Sequence, residues 1–249
     1  MRGILASGKC TEDEIMASDT LPEALTALGK DLGILTSVDN QIVASFADVI
    51  FLAVKPQYYQ RVIEEIREVI TWDKVVVTIA PGKTLEWLEK IFEKPVKIIR
   101  TMPNTPAMVG EGMLGMCPNG NVSKEEIALV RDICSGFAVT EIVGENLMDA
   151  VTAVSGSSPA YVFMLIEAMA DAAVSGGMPR PQAYQFAAQA VLGSAKMVLE
   201  TGKHPGELKD MVCSPAGTTI EAVRVLEELG FRSAIFEAMK VCEEMSKGM

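Results

Sequence analysis

The pattern of hydrophobic positions changes near the middle of the chain. In the first half, short apolar runs of the kind that form buried parallel strands alternate with amphipathic stretches. We predict strands at residues 15–18, 49–52, 75–79 and 96–99, and helices at Tyr59–Ile70 and Leu85–Phe92, the second starting near Thr84. Strand and helix alternating through short loops predict a doubly wound α/β domain with a parallel sheet.

The strand signal disappears from about residue 146. Pro159–Ser175 is apolar on nearly every side and ends at Gly176-Gly177, and Pro181–Thr201 is a second long helix that ends at Gly202. Shorter helices are predicted at residues 208–212, 219–229 and 233–245. A helix that is apolar all round must be buried all round, which favours burial against a second copy of the chain over an interior helix of a monomer. We therefore predict two domains, residues 1–145 and an all-helical dimerisation domain at residues 146–249.

Composition narrows the class of protein. The 249 residues carry 22 basic and 33 acidic side chains, a net charge of −11, and show no basic patch, which argues against a nucleic-acid partner. Five cysteines without a CxxC pair indicate a reducing compartment, and a single histidine argues against a metal centre. No signal peptide and no apolar run of about 20 residues is present, so we expect a cytoplasmic protein without a membrane span.

Candidate ligand-binding residues follow the predicted strands. In doubly wound sheets the ligand lies at the carboxyl ends of the strands. The residues there are Asp19, Ala53, Val54, Lys55, Pro56, Ala80, Gly82 and Asn104.

Two glycine-rich stretches imitate nucleotide-binding motifs. Gly110–Gly115 fits the dinucleotide pattern letter by letter but follows a proline-rich loop and opens no helix, so we interpret the match as accidental. Gly82-Lys83-Thr84 lacks the upstream glycine of a phosphate loop.

Met1–Gly8 is typical of the last turns of a helix, and the strand and glycine-rich turn that begin a doubly wound domain do not precede it. We expect an N-terminally incomplete domain with unpaired sheet edges.

Four stretches, in order, resemble the pyrroline-5-carboxylate reductase family. They are Phe51–Gln57, Arg100–Pro106, Ser155–Tyr161 and the segment His204–Asp210 continuing through Ser214–Ile220. Pro81 and Ala216 depart from the Ala and Gly usual in that family, and Ala216 is expected to tighten its loop.

The resemblance implies a Rossmann-like domain that binds NADPH or NADH, joined to a helical dimerisation domain. It implies reduction of 1-pyrroline-5-carboxylate to L-proline by a homodimer, with a higher oligomer of dimers left open. It places Lys55 near the nicotinamide ribose and Asn40 near the adenosine half of the cofactor. The loop formed by Ser214, Gly217, Thr218 and Thr219 opens a helix, where free N–H groups suit a carboxylate. Thr219 is our candidate for the hydroxyl that hydrogen-bonds the ring nitrogen. No general acid is required if the substrate binds as the iminium, which already carries its proton.

Alternatives remain open at this point. Asp19 can accept hydrogen bonds from both ribose hydroxyls of NAD and repels a 2′-phosphate, so it favours NADH over NADPH, although the family often favours NADPH. An inactive or regulatory remnant would keep the dimer and the carboxylate loop but lack the pyrophosphate site. A related hydroxyacid dehydrogenase would carry a catalytic lysine on the first long helix, and Pro159–Ser175 has none.

Overall fold

A computed structural model describes residues 1–248, and these divide into two compact units. The first contains residues 1–157 and the residues from Cys242 onward, and the second contains residues 158–241. Each unit is described by itself. The predicted domain boundary, between residues 145 and 146, stays a prediction.

The first unit carries an interrupted, mostly parallel sheet. Residues 1–248 form seven strands: β1 (Met16–Ser18), β2 (Leu35–Ser37), β3 (Val49–Leu52), β4 (Val75–Thr78), β5 (Lys97–Met102), β6 (Gly112–Pro118) and β7 (Ala138–Ile142). Strands β3 to β7 form one sheet in sequence order, parallel except between β5 and β6, and β1 pairs with β2 in a separate parallel sheet. Among the described residues no backbone hydrogen-bond ladder joins β1 to β3. Each of the two sheets therefore has an unpaired edge strand there, as the sequence predicted.

Helices cover both faces of the five-stranded sheet, which confirms the predicted fold class. The helices of this unit are α1 (Arg2–Ala6), α2 (Pro22–Leu32), α3 (Asn40–Phe46), α4 (Tyr59–Ile66), α5 (Leu85–Phe92), α6 (Lys124–Cys134) and α7 (Met148–Val151), the last running into a π-helical turn at Thr152–Gly156. Side chains alternate along a strand, so Val76 joins the core beneath α4 and α5 while Val75 and Val77 join the core beneath α6. Burial of all four residues of β4 explains its unbroken apolar run.

Strands β6 and β7 were missed by the sequence analysis, and so was β2. Strand β6 contains Gly112 and Gly115, which the structure uses for close packing. A Cβ at Gly115 would lie 2.7 Å from Val151 Cγ1, and one at Gly112 would lie 2.7 Å from the carbonyl oxygen of Phe137. Residues 112–115 of the dinucleotide-like pattern are therefore part of the buried strand β6 and open no helix, and the prediction that the match is accidental is confirmed.

The second unit is helical. It contains α8 (Ser158–Ser175), α9 (Arg180–Thr201), α10 (Pro205–Val212), α11 (Thr218–Glu228) and most of α12 (Phe231–Lys247). Helices α8 and α9 pack through the small side chains Ala170, Ala183 and Ala187. Large apolar side chains of the same helices, among them Phe163, Met164 and Phe186, lie exposed in the single chain. No helix within residues 1–248 has the length and apolar character needed to cross a membrane.

Candidate active site

The carboxyl ends of β3 and β4 lie on the same edge of the sheet because the strands are parallel. Beyond β3, Ala53, Val54 and Lys55 are exposed, and Pro56 starts a 3₁₀ turn in which Tyr58 N–H donates to the carbonyl oxygen of Lys55 at 2.9 Å. In the part of the chain that the structure describes, Lys55 forms no ion pair. The loop thus exposes residues 53–55 to a ligand, together with the Lys55 ammonium group, which has no carboxylate partner among the described residues.

The loop after β4 contains the second group of candidates. Ala80 is buried, and Gly82 has a left-handed backbone with φ +73°, a conformation that favours glycine. Thr84 then begins α5, accepting a hydrogen bond from the backbone N–H of Trp87 at 3.1 Å. The predicted helix start is confirmed, and the segment is not a phosphate loop.

Tyr59 connects these two strand ends, although nothing in its sequence context marks it as part of a site. Its hydroxyl donates to the carbonyl oxygen of Leu52 at 2.6 Å and accepts from the backbone N–H groups of Ile79 and Ala80, each at 3.1 Å. Burial raises the pKa of Tyr59 to about 12. Its spacing from Val62, Ile63 and Ile66 marks a core face of a helix, but that pattern says nothing about the hydroxyl.

Asp19 and Asn40 lie near the end of β1. The exposed Asp19 carboxylate accepts from the backbone N–H of Leu21 at 2.9 Å, just before α2. Asn40, the first residue of α3, accepts from the Ser18 hydroxyl at 2.7 Å and donates to Glu65 at 3.0 Å. Asn40 therefore ties β1 to α4, in addition to any role toward a ligand.

Asn104 follows β5 and has a structural partner. Its side-chain oxygen accepts from the backbone N–H of Met113 at 2.9 Å, which fixes the turn between β5 and β6. Asn104 is thus a turn residue, and its role as a ligand contact stays a prediction.

An ion pair with one buried partner, Arg100, supports the same region. Arg100 on β5 is almost fully buried and donates to Glu145 Oε1 at 2.9 Å, and the same oxygen accepts from the backbone N–H of Leu85 at 2.7 Å. Glu145 thereby holds the first residue of α5, directly after the Ala80–Gly82 loop. Neither partner was singled out from the sequence, because they are 45 positions apart.

The substrate candidates form one turn in the second unit. Gly217 N–H donates to the carbonyl oxygen of Ser214 at 3.1 Å, and Gly217 precedes α11 without a side-chain cap on the helix. A Cβ at Gly217 would lie 2.3 Å from the Ser214 hydroxyl oxygen and 3.1 Å from the Ser214 carbonyl oxygen, so a larger residue requires the Ser214 side chain to move. Thr218 and Thr219 begin the helix, and their uncapped N–H groups suit an anion. Ala216 has φ +57°, the conformation that glycine favours.

His204 is the N-cap residue of α10. Its Nδ1 atom accepts from the backbone N–H of Gly206 at 3.0 Å, at the beginning of α10. The ring is exposed and caps the N-terminus of α10, and it does not lie in a buried site where it could transfer a proton.

Comparison with known proteins decides the family. Residues 145–249 match the family described as pyrroline-5-carboxylate reductase dimerisation, and residues 1–82 match NADP oxidoreductase, coenzyme F420-dependent. A pyrroline-5-carboxylate reductase of Escherichia coli is 55% identical over 98% of this chain and 91% of its own length. One from Methanosarcina acetivorans is 45% identical over 99% of this chain and 92% of its own length. The chain belongs to the pyrroline-5-carboxylate reductase family.

Solved structures agree with this family assignment. The pyrroline-5-carboxylate reductase of Coxiella burnetii superposes with a TM-score of 0.93 at 33% identity, covering 99% of this chain and 92% of that one. The NADP-bound enzyme of Plasmodium falciparum gives 0.88 at 30% identity, covering 99% and 91%. A ketol-acid reductoisomerase at 16% identity and a prephenate dehydrogenase at 15% share the fold alone. The resemblance carried by the four sequence stretches is thus confirmed, and the hydroxyacid dehydrogenase alternative has no comparable support.

Proposed function

We propose that this member of the pyrroline-5-carboxylate reductase family reduces 1-pyrroline-5-carboxylate to L-proline with NAD(P)H, the last step of proline biosynthesis. The observation that carries the proposal is the 55% identity to the Escherichia coli enzyme over nearly the whole chain. Nothing in the comparisons favours the alternative of an inactive remnant. In the reaction a C–H bond forms at the imine carbon, the C=N bond becomes C–N, the ring nitrogen keeps its proton, and the dinucleotide is oxidised.

The strand ends of the first unit fit a dinucleotide. The exposed backbone of Ala53 and Val54 and the left-handed turn at Gly82 allow a planar ligand to approach closely, and Lys55 offers a cation without a carboxylate partner among the described residues. When bound, the nicotinamide supplies the hydride. Pro56, Ala80, Asn40 and Asn104 are proposed to shape and line the same edge.

The turn before α11 is proposed to hold the substrate carboxylate. The uncapped N–H groups of Thr218 and Thr219 and the exposed Ser214 hydroxyl provide donors, and the helix dipole favours a negative charge there. Thr219 is proposed to orient the substrate by a hydrogen bond at its ring nitrogen, which positions the imine without requiring a general acid.

NADH is proposed as the preferred cofactor on the evidence of Asp19. Its carboxylate is exposed after β1, and one oxygen is engaged with Leu21 N–H, which fixes its orientation. A fixed negative charge at this strand end repels a 2′-phosphate. Asp19→Ser is expected to lower the preference for NADH, measured as the ratio of kcat/KM values for the two cofactors.

The assembly and the compartment are further proposals. The exposed apolar side chains of α8 and α9 support a homodimer built by residues 146–249. Five free cysteines among residues 1–248 support a reducing, cytoplasmic location.

The decisive experiment is pyrroline-5-carboxylate-dependent oxidation of NADH and NADPH by the purified chain, followed by absorbance. Turnover supports the proposed reaction, and the absence of both turnover and NAD(P)H binding supports the inactive-remnant alternative, which lacks the pyrophosphate site. Thr219→Ala is expected to lower kcat/KM by at least about tenfold with cofactor affinity unchanged. Thr201→Ala, at the end of α9, is the matched control and should keep full activity. An unchanged rate for Thr219→Ala removes that hydroxyl from the mechanism.

A further inference from the structure

The hydroxyl of Tyr59 lies where the ladder between β3 and β4 ends. The last pair in register is Leu52 with Thr78, and the next residues of both strands diverge into the Ala53–Pro56 and Ala80–Gly82 loops. At this point the Tyr59 hydroxyl bridges the Leu52 carbonyl on one strand and the Ile79 and Ala80 N–H groups on the other. It takes the place of the ladder bonds that the diverging strands no longer make.

All hydrogen-bonding capacity of this hydroxyl is used. A phenol has one donor and two acceptor lone pairs, and the three backbone groups match that number. The ring has no exposed surface and packs with Ile63 and Leu88 beneath the sheet, so the oxygen has a fixed position. Because burial raises the pKa of Tyr59 to about 12, the O–H that bonds Leu52 is present throughout the usual assay range.

We infer that Tyr59 is a positioning residue whose hydroxyl fixes the spacing of the two loops, Ala53–Pro56 and Ala80–Gly82, that hold the dinucleotide. This inference rests on the proposed function, since it is the cofactor role of those loops that gives the bridge its purpose. Tyr59 itself does not touch the reacting atoms. It acts through the backbone of Leu52, Ile79 and Ala80.

Removing one oxygen atom tests the inference. Tyr59→Phe keeps the ring in the core but leaves one carbonyl and two N–H groups without their partner. The Kd for NADH and NADPH, measured by fluorescence titration of the full chain, is expected to rise about tenfold, the factor that one net hydrogen bond represents. With saturating cofactor, kcat and the KM for pyrroline-5-carboxylate are expected to change by less than about twofold, because the substrate turn is in the other unit.

Hydrogen exchange provides a readout that does not depend on activity. Peptides covering residues 50–58 and 76–84 are expected to exchange faster in Tyr59→Phe, and peptides from the second unit should be unchanged. The neighbouring Tyr58 is half exposed, so Tyr58→Phe is the matched control and should leave affinity and exchange as in the original chain. Val130→Ala is the control for a general loss of stability. Val130 lies in the core on the opposite face of the sheet, so the variant lowers the free energy of unfolding without changing a contact of either loop.

The outcomes separate the inference from the proposed function. A raised cofactor Kd together with faster exchange in both loops, seen in Tyr59→Phe alone, supports the positioning role. An unchanged Kd, unchanged exchange, or an equal rise of Kd in Val130→Ala overturns it. If the original chain binds NAD(P)H but does not reduce pyrroline-5-carboxylate, only the proposed reaction fails. If it binds neither NADH nor NADPH, both fail.

Discussion

Ala216 shows how one side chain can strain the turn before α11. Its φ of +57° places a Cβ in the left-handed region, which costs about 1–2 kcal/mol for a residue other than glycine. Ala216→Gly removes that strain but adds conformational freedom to the unfolded chain. We expect the free energy of unfolding to rise by about 0.5–1 kcal/mol, measured by urea denaturation. Ala128→Gly, on the exposed face of α6, is the control and should lose about 1 kcal/mol; a loss at Ala216 as well would contradict the prediction.

Thr78 and Thr101 form a second residue-scale test. The Thr78 hydroxyl is fully buried and has no hydrogen-bond partner among residues 1–248, whereas the Thr101 hydroxyl donates to the Thr78 carbonyl oxygen at 2.7 Å. Valine has nearly the shape of threonine without the hydroxyl. We expect Thr78→Val to raise the free energy of unfolding by about 1 kcal/mol and Thr101→Val to lower it by a similar amount. Thermal unfolding of the two variants in parallel checks the opposite signs, and a loss in both would show that the Thr78 hydroxyl has a partner.

At the scale of elements, the sequence predicted what depends on local pattern. The helices α5, α8 and α9 and the strands β3 and β4 were placed almost at their observed ends, because periodicity and terminal residues such as Thr84 and Gly202 are local signals. Strand β6 was missed because its glycines, needed for contact with Val151 and Phe137, hide a strand pattern. Strand β2 has three residues and two of them are exposed, so it has no pattern to recognise.

The same limit applies to the candidate site: its locally encoded residues could be predicted from the sequence, and its long-range contacts could not. Strand-end residues follow from the rule for parallel sheets, and the turn before α11 follows from its composition and from the family resemblance. Tyr59 and Glu145 could not be found in this way. Their contacts reach 21 and 60 positions along the chain, and only the folded structure brings those groups together.

The ion pair between Arg100 and Glu145 carries an element-scale prediction. Glu145→Ala leaves the buried Arg100 guanidinium and the first N–H of α5 without a partner. We expect a loss of about 3 kcal/mol in the free energy of unfolding, since removing one partner strands a buried charge. Glu145→Gln keeps an acceptor for Leu85 and should lose less. Glu207→Ala breaks an exposed pair with Lys203 and serves as control, with an expected loss below about 1 kcal/mol; equal losses at both sites would contradict this account.

At the scale of the whole molecule, the charge and the exposed apolar surface act in opposite directions. A net charge of −11 keeps copies of the chain apart, so association needs a strong local attraction. Helices α8 and α9 offer one, because Phe163, Met164 and Phe186 are each more than 60% exposed in the single chain. In a two-fold dimer the same surface of both subunits forms the interface, so each of these side chains is buried once in each subunit. The free energy gained by burying one residue type, or lost by replacing it with a charged one, therefore counts twice per dimer.

We predict that the chain is a dimer and that one charged side chain on α8 dissociates it. Light scattering should give a mass of about twice 26.8 kDa for the original chain. Phe163→Glu places two carboxylates in the proposed interface, where burying unpaired charge is costly, and should shift the mass toward 26.8 kDa. Leu129→Glu, on the exposed face of α6, adds the same charge to the first unit and should leave the dimer intact. A mass near 26.8 kDa for the original chain, or dissociation by both variants, would show that α8 and α9 do not build the interface.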